Sequence, residues 1–554
     1  QSISEAVQSL IPQYIDKDTK EPEKWIAAAK ELRFPYWDWT HPDTGTEGLP
    51  GIFCQEMLEL KLPNGSVGEM ENILAFYPFG DERPAGFTNL FEEYEDSNNP
   101  KIKRARMAYF KNWKRTYRWP AAKSQDPKED YTELNKLRTT KNPVRGNWRE
   151  LTRSVALLFN FPDASQVIQE KRANLWDEFS NTRFQSAKKN LIRIIGSIEQ
   201  PHNNVHVVLG GTGHMADPDY ASFDPIFYLH HCNIDRIIAF WEHIYPEYWM
   251  ADGQYWTPPH NETPVDWGKY GVPADSKVEE NSPLTPFRKE DGSYWTPKDL
   301  RWHSKAYTYP PIADTKDPSQ VVSLEPVDDK TRIDQARILK RHFEHGVPVD
   351  SPKAHIVSVQ LNPAAFKGSY TVEILYDKPS GELEYIASAA AFSRAPDTQC
   401  SGCQARLEAG ETSENIILIP DNVIDEIVKA WGLEHESIPI EEILKQHLRS
   451  QIAFPAEGGV VAASSKSSTA TDHPHGERLA AAAAAARSRS AVLSEPQSAS
   501  VKLDLQDYQK PKFQLHSRPA YLGAPQAPEG GRGPSHLPPP SKWENHGVLL
   551  DDWF

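Results

Sequence analysis

The stretch FDPIFYLHHCNIDRIIAFW, residues 223–241, constrains this chain more than any other. Asp224 is a good N-cap, and Pro225 suits the first helical position, where a missing N–H costs nothing. Phe223, Ile226, Phe227, Leu229, Ile234, Ile237, Ile238 and Trp241 set apolar side chains around much of the circumference. A buried helix is therefore expected over 224–245. His230 and His231 stand in its middle. A buried imidazole needs a partner for each ring nitrogen. Adjacent helical residues point about 100° apart, so the two cannot do the same job. One is expected to face a site while the other packs.

Just upstream, SIEQPHNNVHVVLGGTGHM places His202 and His206 four residues apart. Taken alone, such a pair can be two solvated side chains on a surface helix. The same spacing also lets two imidazoles on one helical face converge on a metal. With His231 from a second, buried helix, the three form a candidate three-imidazole site. Neutral imidazole suits zinc, copper, iron or nickel, and spacing does not choose among them.

The rest of the chain sets the frame. Its 554 residues suffice for two to four domains. A net charge of −16 and a pI of about 5.7 argue against a broad nucleic-acid-binding surface. There is no run of about 20 apolar residues, so no membrane span is expected. Four cysteines in this length argue against a disulfide framework. No signal peptide is visible after Gln1, and an intracellular location is favoured over secretion.

Residues 1–315 read as one mainly helical, loop-rich domain, with helices expected over 22–33, 100–115, 146–160, 165–200 and 224–245. Residues 316–352 read as a linker containing a helix. From 353 the pattern changes: AHIVSVQLN, GSYTVEILYD and GELEYIASAAAFSR alternate or run β-branched. Residues 353–455 are therefore expected to form a small β-sandwich-like domain ending in a helical piece. Residues 456–554 are low in complexity and are expected to be a disordered tail.

Several of these motifs together resemble a known family. HNNVH, GTGHM and FDPIFYLHHCNIDR are similar to the copper-B half of tyrosinases and related type-3 copper proteins. FPYWDW (34–39) resembles the aromatic stretch that follows the family's copper-A helices. AYTYPP, with Tyr307 and Tyr309, resembles its Tyr-x-Tyr element. DTQCSGC, with Cys400 and Cys403, resembles the CxxC of fungal tyrosinase C-terminal domains. The resemblance covers about 1–455. It implies a type-3 copper helical bundle followed by a shielding C-terminal domain. It also implies oxidation of monophenols and o-diphenols to o-quinones with O2, feeding pigment formation.

Residue by residue, the resemblance makes His202, His206 and His231 the copper-B ligands and leaves His230 as the neighbour that points away. Phe227 would border the phenol pocket. Glu199 and Asn203 would hold a water that takes the phenol proton; otherwise Glu199 is simply an acid in a helical first turn. Cys400 and Cys403 are either a copper-uptake pair, through which a copper donor would act, or two thiols on a plain turn. Phe392 is a candidate plug for the site in a latent form. Asp235 and Arg236 are expected to pair and fix the helix.

One departure is large. The family uses two coppers per site, each with three histidines, and the copper-A set normally precedes the PYWDW stretch. Before His202 this chain has only His41, which follows that stretch. The chain thus reads as an N-terminally incomplete copy, or else as a degenerate homologue, with copper-B ligands alone and no phenol oxidation of its own. The site should then lie in an open cleft, with part of 34–39 exposed. Catechol oxidation alone and a non-catalytic copper or oxygen carrier remain as alternatives. A zinc hydrolase is disfavoured because no HExxH is present.

Overall fold

The computed structural model of the chain describes Ser2–Ala453 together with Lys512–Pro519 and Glu544–Val548. Within the first span it leaves out 16, 63, 97–98, 121–126, 137–147, 162–168, 183–194, 251–254, 257–276, 302–307, 345–352, 364, 396–397, 399–402, 404–411 and 435–437. Helices α1 (Ser2–Tyr14), α2 (Pro22–Glu31) and α3 (Pro42–Glu47) open the chain. Two hairpins follow, β1 (Met57–Lys61) with β2 (Val67–Glu71), and β3 (Leu90–Asp96) with β4 (Asn99–Ala108). After α4 (Tyr131–Lys136) come α5 (Trp148–Leu158), α6 (Gln169–Ser180), α7 (Glu199–Gly210) and α8 (Ile226–Ile244), the helices that build the site. The linking helix α9 spans Asp329–Glu344.

Most of the expected helices lie where the sequence reading puts them. Two differ: 165–200 is helical over Gln169–Ser180 and again from Glu199, with 195–198 non-helical and 183–194 outside the described residues, and within 100–115 the structure has strand β4 instead. Lys and Arg with Ala and Met favour helix locally. Pairing with β3 overrides that preference, and the register sets Glu92 opposite Arg106 and Glu95 opposite Lys103.

The core of the helical region is aromatic. Trp241 stacks on Phe179 with centroids 3.7 Å apart and planes 7° apart, and Phe161 meets Trp241 edge-on at 5.4 Å. Trp37 and Trp39 are buried against α8, where Trp37 N–H donates to Leu229 O at 3.1 Å. Within 34–39 the exposed residues are Phe34, which is 38% exposed, and Pro35.

From Lys353 onward the chain forms two small sheets. β5 (Lys353–Leu361) lies between β8 (Ser413–Ile419) and a later strand, β10 (Lys512–Pro519), which carries β11 (Glu544–Val548) on its far side. β6 (Tyr370–Asp377) lies between β7 (Leu383–Ala391) and β9 (Leu448–Ala453). Their inner faces share one apolar cluster, including Val357, Val372, Ala389 and Ile417. Helices α10 (Asp421–Ala430) and α11 (Ile440–His447) cover it. β6 is buried along its whole length, as an inner strand must be. Where the sequence suggests only a disordered tail, the structure places β10 and β11 in the sheet. The remainder of 456–554 lies outside the described residues.

Candidate metal centre

α8 is held from outside by a buried ion pair. Asp224 accepts from Arg118 Nε at 3.1 and 2.9 Å, and its Oδ1 also accepts from Ile226 N–H at 3.1 Å, so it does start the helix. Arg118 further donates to the carbonyls of Phe53 and Leu74. Asp235 and Arg236 do not pair with each other as expected. Neighbours on a helix diverge by about 100°; Asp235 is exposed, while Arg236 turns inward to Asp38 at 3.0 Å and Asn233 at 3.2 Å.

His202 and His206 of α7 meet His230 and His231 of α8. All four offer a ring nitrogen within 4.8 Å of the others. His230 therefore belongs to the group and does not point away, a correction to the sequence reading. Its ring stacks on His202 at 5.1 Å and lies 4.9 Å from His206. The 100° between the two neighbours opens a wedge that the His202 ring fills, 5.0 Å from His231 on the other side.

The hydrogen bonds separate the four. His206 Nδ1 meets the Met215 carbonyl at 2.9 Å and His231 Nδ1 meets the Phe227 carbonyl at 2.7 Å. A carbonyl only accepts, so both Nδ1 atoms carry the proton. His202 Nδ1 meets Asn203 Oδ1 at 2.9 Å in the same sense. In a neutral ring each Nε2 is then a bare lone pair. His202 Nε2 and His231 Nε2 lie 3.0 Å apart, and His206 Nε2 is buried without a protein partner. His230 has no such anchor on either ring nitrogen. All four rings are held neutral. Burial, reinforced by neighbouring imidazoles, lowers His206 and His230 well below the usual range and brings His231 down to about 4. Burial also lowers His202, against the pull of Asn203 and Glu199.

The GGTGHM turn makes the His206 anchor possible. A Cβ on Gly213 would lie 2.0 Å from the Tyr117 carbonyl, and one on Gly210 would lie 2.1 Å from the Ala216 nitrogen. Only glycine lets the turn fold this tightly and bring the Met215 carbonyl to the ring.

Phe227 lies 4.0 Å from His231 and 5.7 Å from His206. Phe392, just past β7, stacks on His206 at 4.2 Å with planes 20° apart and meets His202 edge-on at 6.1 Å. The imidazoles thus lie under a side chain of the C-terminal region, not in an open cleft. Glu199 accepts from Thr182 N–H and Oγ1–H, both at 2.7 Å, at the start of α7. His41 is remote in role: it caps α3 by accepting from Asp43 N–H. Cys403 receives Arg394 Nη1–H at 2.9 Å; Cys400 and Tyr307 lie outside the described residues.

Residues 13–244 match the common central domain of tyrosinase. Over that span the chain carries a tyrosinase-type central domain. A polyphenol oxidase of Agaricus bisporus is 28% identical over 301 residues, 53% of this chain and 44% of that protein. A tyrosinase of Aspergillus fumigatus is 24% identical over 509 residues, 81% of this chain and 72% of that one. The chain therefore spans less than half the length of the Agaricus relative. Its fold is that of solved fungal enzymes. Recombinant mushroom tyrosinase superposes with a TM-score of 0.59 at 17% identity, covering 94% of this chain and 77% of that one. The holo-protyrosinase of Aspergillus oryzae gives 0.58 at 17%, covering 100% and 80%. Tyrosinases are copper proteins, and the four-histidine group has the geometry to hold a metal ion.

Proposed function

We propose that His202, His206 and His231 hold copper in a tyrosinase-type site that oxidises monophenols and o-diphenols to o-quinones with O2. The observation that supports it most is the anchoring of three Nδ1–H groups on oxygen acceptors, which leaves three bare Nε2 atoms converging. Two lone pairs at 3.0 Å repel unless a cation lies between them. Three imidazoles suit copper, and the family makes copper the choice over zinc. Copper, when bound, supplies the electron exchange with phenol and O2.

The chain's own residues do the rest. Asn203, Met215 and Phe227 fix the ring tautomers. Phe227 walls the phenol pocket. Phe392 occupies the position a phenol ring would take and shields the site in a latent state, as part of a C-terminal domain at 353–455 that follows the 1–315 core and its 316–352 linker. Glu199, tied to Thr182, anchors the start of α7; with Asn203 beside it, its second carboxylate oxygen is the base available to a bridging water. Cys403, with Cys400, remains the candidate route for a copper donor. One copper per chain is expected here, because among the described residues one imidazole trio is anchored. That same observation favours the second reading, a copper-binding homologue that does not oxidise phenols.

Metal analysis of the purified, copper-reconstituted chain, with catechol oxidation followed in visible light, tests the proposal. Copper held by the wild type and lost in His206→Ala supports the site. Copper retained at full stoichiometry in that variant would overturn it. Quinone formation distinguishes the enzyme from the binding homologue.

A further inference from the structure

α7 has two working faces. His202 and His206 lie on one. Gln200 and Asn204, also four apart, lie about 200° round the helix, where they meet the C-terminal strands. Gln200 Nε2–H donates to Ile416 O at 2.7 Å, and its Oε1 accepts from Ile416 N–H at 2.9 Å. Asn204 Nδ2–H donates to Ser388 O at 3.2 Å, and its Oδ1 accepts from Ala390 N–H at 2.9 Å. Each carboxamide thus imitates a neighbouring strand's peptide group, offering one donor and one acceptor to a single strand. Glu150 of α5 completes the arrangement. It accepts from Asn204 Nδ2–H at 3.2 Å, Ser388 N–H at 2.8 Å and the Tyr385 hydroxyl at 2.5 Å. All three side chains are buried.

A bidentate pair specifies register as well as attachment. A slip of β7 by one residue would face Asn204 with the wrong backbone groups. Phe392 stands two residues beyond Ala390, about 7 Å along an extended chain, and that is where it meets the His206 ring. We propose that Asn204, backed by Glu150 and Gln200, is the register pin that seats Phe392 over the imidazoles. Asn204 is a positioning residue that acts through β7 and does not touch the reacting atoms. The helix that carries two metal ligands thereby also sets the depth of the plug. This inference rests on the reading of Phe392 as a shield, and its test has one arm that needs no copper.

Hydrogen exchange over 385–393 reads the pin; the rate at which EDTA strips copper from the loaded chain reads the plug. Asn204→Leu should speed exchange on the order of tenfold, the equivalent of one net hydrogen bond, and should speed copper removal as well, with far-UV circular dichroism unchanged. Phe392→Ala should speed copper removal alone. Should Asn204→Leu fail to fold, Asn204→Asp, which keeps the acceptor for Ala390 N–H but loses the donor, should show the same pair of effects. Wild-type exchange in a folded Asn204 variant overturns the pin. Faster exchange without faster copper loss shows that the pin does not seat Phe392, and overturns the proposal equally. A wild type that takes no copper removes the proposed function, while the exchange arm still decides the pin.

Discussion

Raising the pH through neutrality should loosen the hold of the helical core on β7, and Glu150 is the group responsible. Its carboxyl is fully enclosed, and burial pushes it up from 4.5 to about 7. Bonds from Tyr385 and Ser388 and the charge of Arg153 pull it back only in part, while the charge of Glu373 adds to the rise. A carboxyl whose folded value lies above its unfolded value binds its proton more readily when folded. Its contribution to stability is therefore complete below about 4.5 and is lost as the pH rises through about 7. At 1.36 kcal/mol per unit, the loss by pH 8 is about 3 kcal/mol. Urea unfolding at pH 5 and pH 8, followed by circular dichroism without added metal, measures it. Glu150→Gln keeps the shape and cannot ionise, so the variant should escape this loss and be the more stable protein at pH 8. Equal responses of wild type and Glu150→Gln between the two pH values would refute the reasoning, as would a wild type that gains stability towards pH 8 relative to the variant.

Three further outcomes are expected. Arg118→Ala leaves the Asp224 carboxylate buried without its partner and should cost about 3–5 kcal/mol in urea or thermal unfolding. Gly213→Ala must displace either the turn or the Tyr117 carbonyl, so it should weaken copper binding by pulling Met215 away from His206, measurable by competition with a chelator. Trp241→Ala removes the ring stacked on Phe179 and should destabilise the core by about 3–5 kcal/mol, with the melting temperature as the readout.

The ligand helices were legible because their signals are local. A proline at a helix start, an apolar circumference and an i, i+4 histidine pair all sit within a few residues of one another. The place of His230 is not legible in the sequence, because angular separation on its own helix says nothing about which rings a second helix will insert. Over 100–115 composition favours a helix, while the strand pairing found there is a relation between segments. The strand partners of Asn204, Gln200 and Glu150 are out of reach for the same reason: they lie 184 to 238 residues away in the chain. The glycines of GGTGHM were visible as a motif, but their purpose depends on the Tyr117 carbonyl and on the turn folding back on α7.

The strand Lys512–Pro519 runs beside Lys353–Gln360 along its full length. This makes β5 an interior strand, flanked on both sides. A protease that cut between 453 and 512 would not by itself remove the segment, because eight residues of pairing would still hold it in place. If the segment did leave, β5 would present a row of open N–H and C=O groups to solvent, which is a template for pairing with another chain. Trimming the far end of this protein thus carries a risk of self-association that is independent of the metal centre.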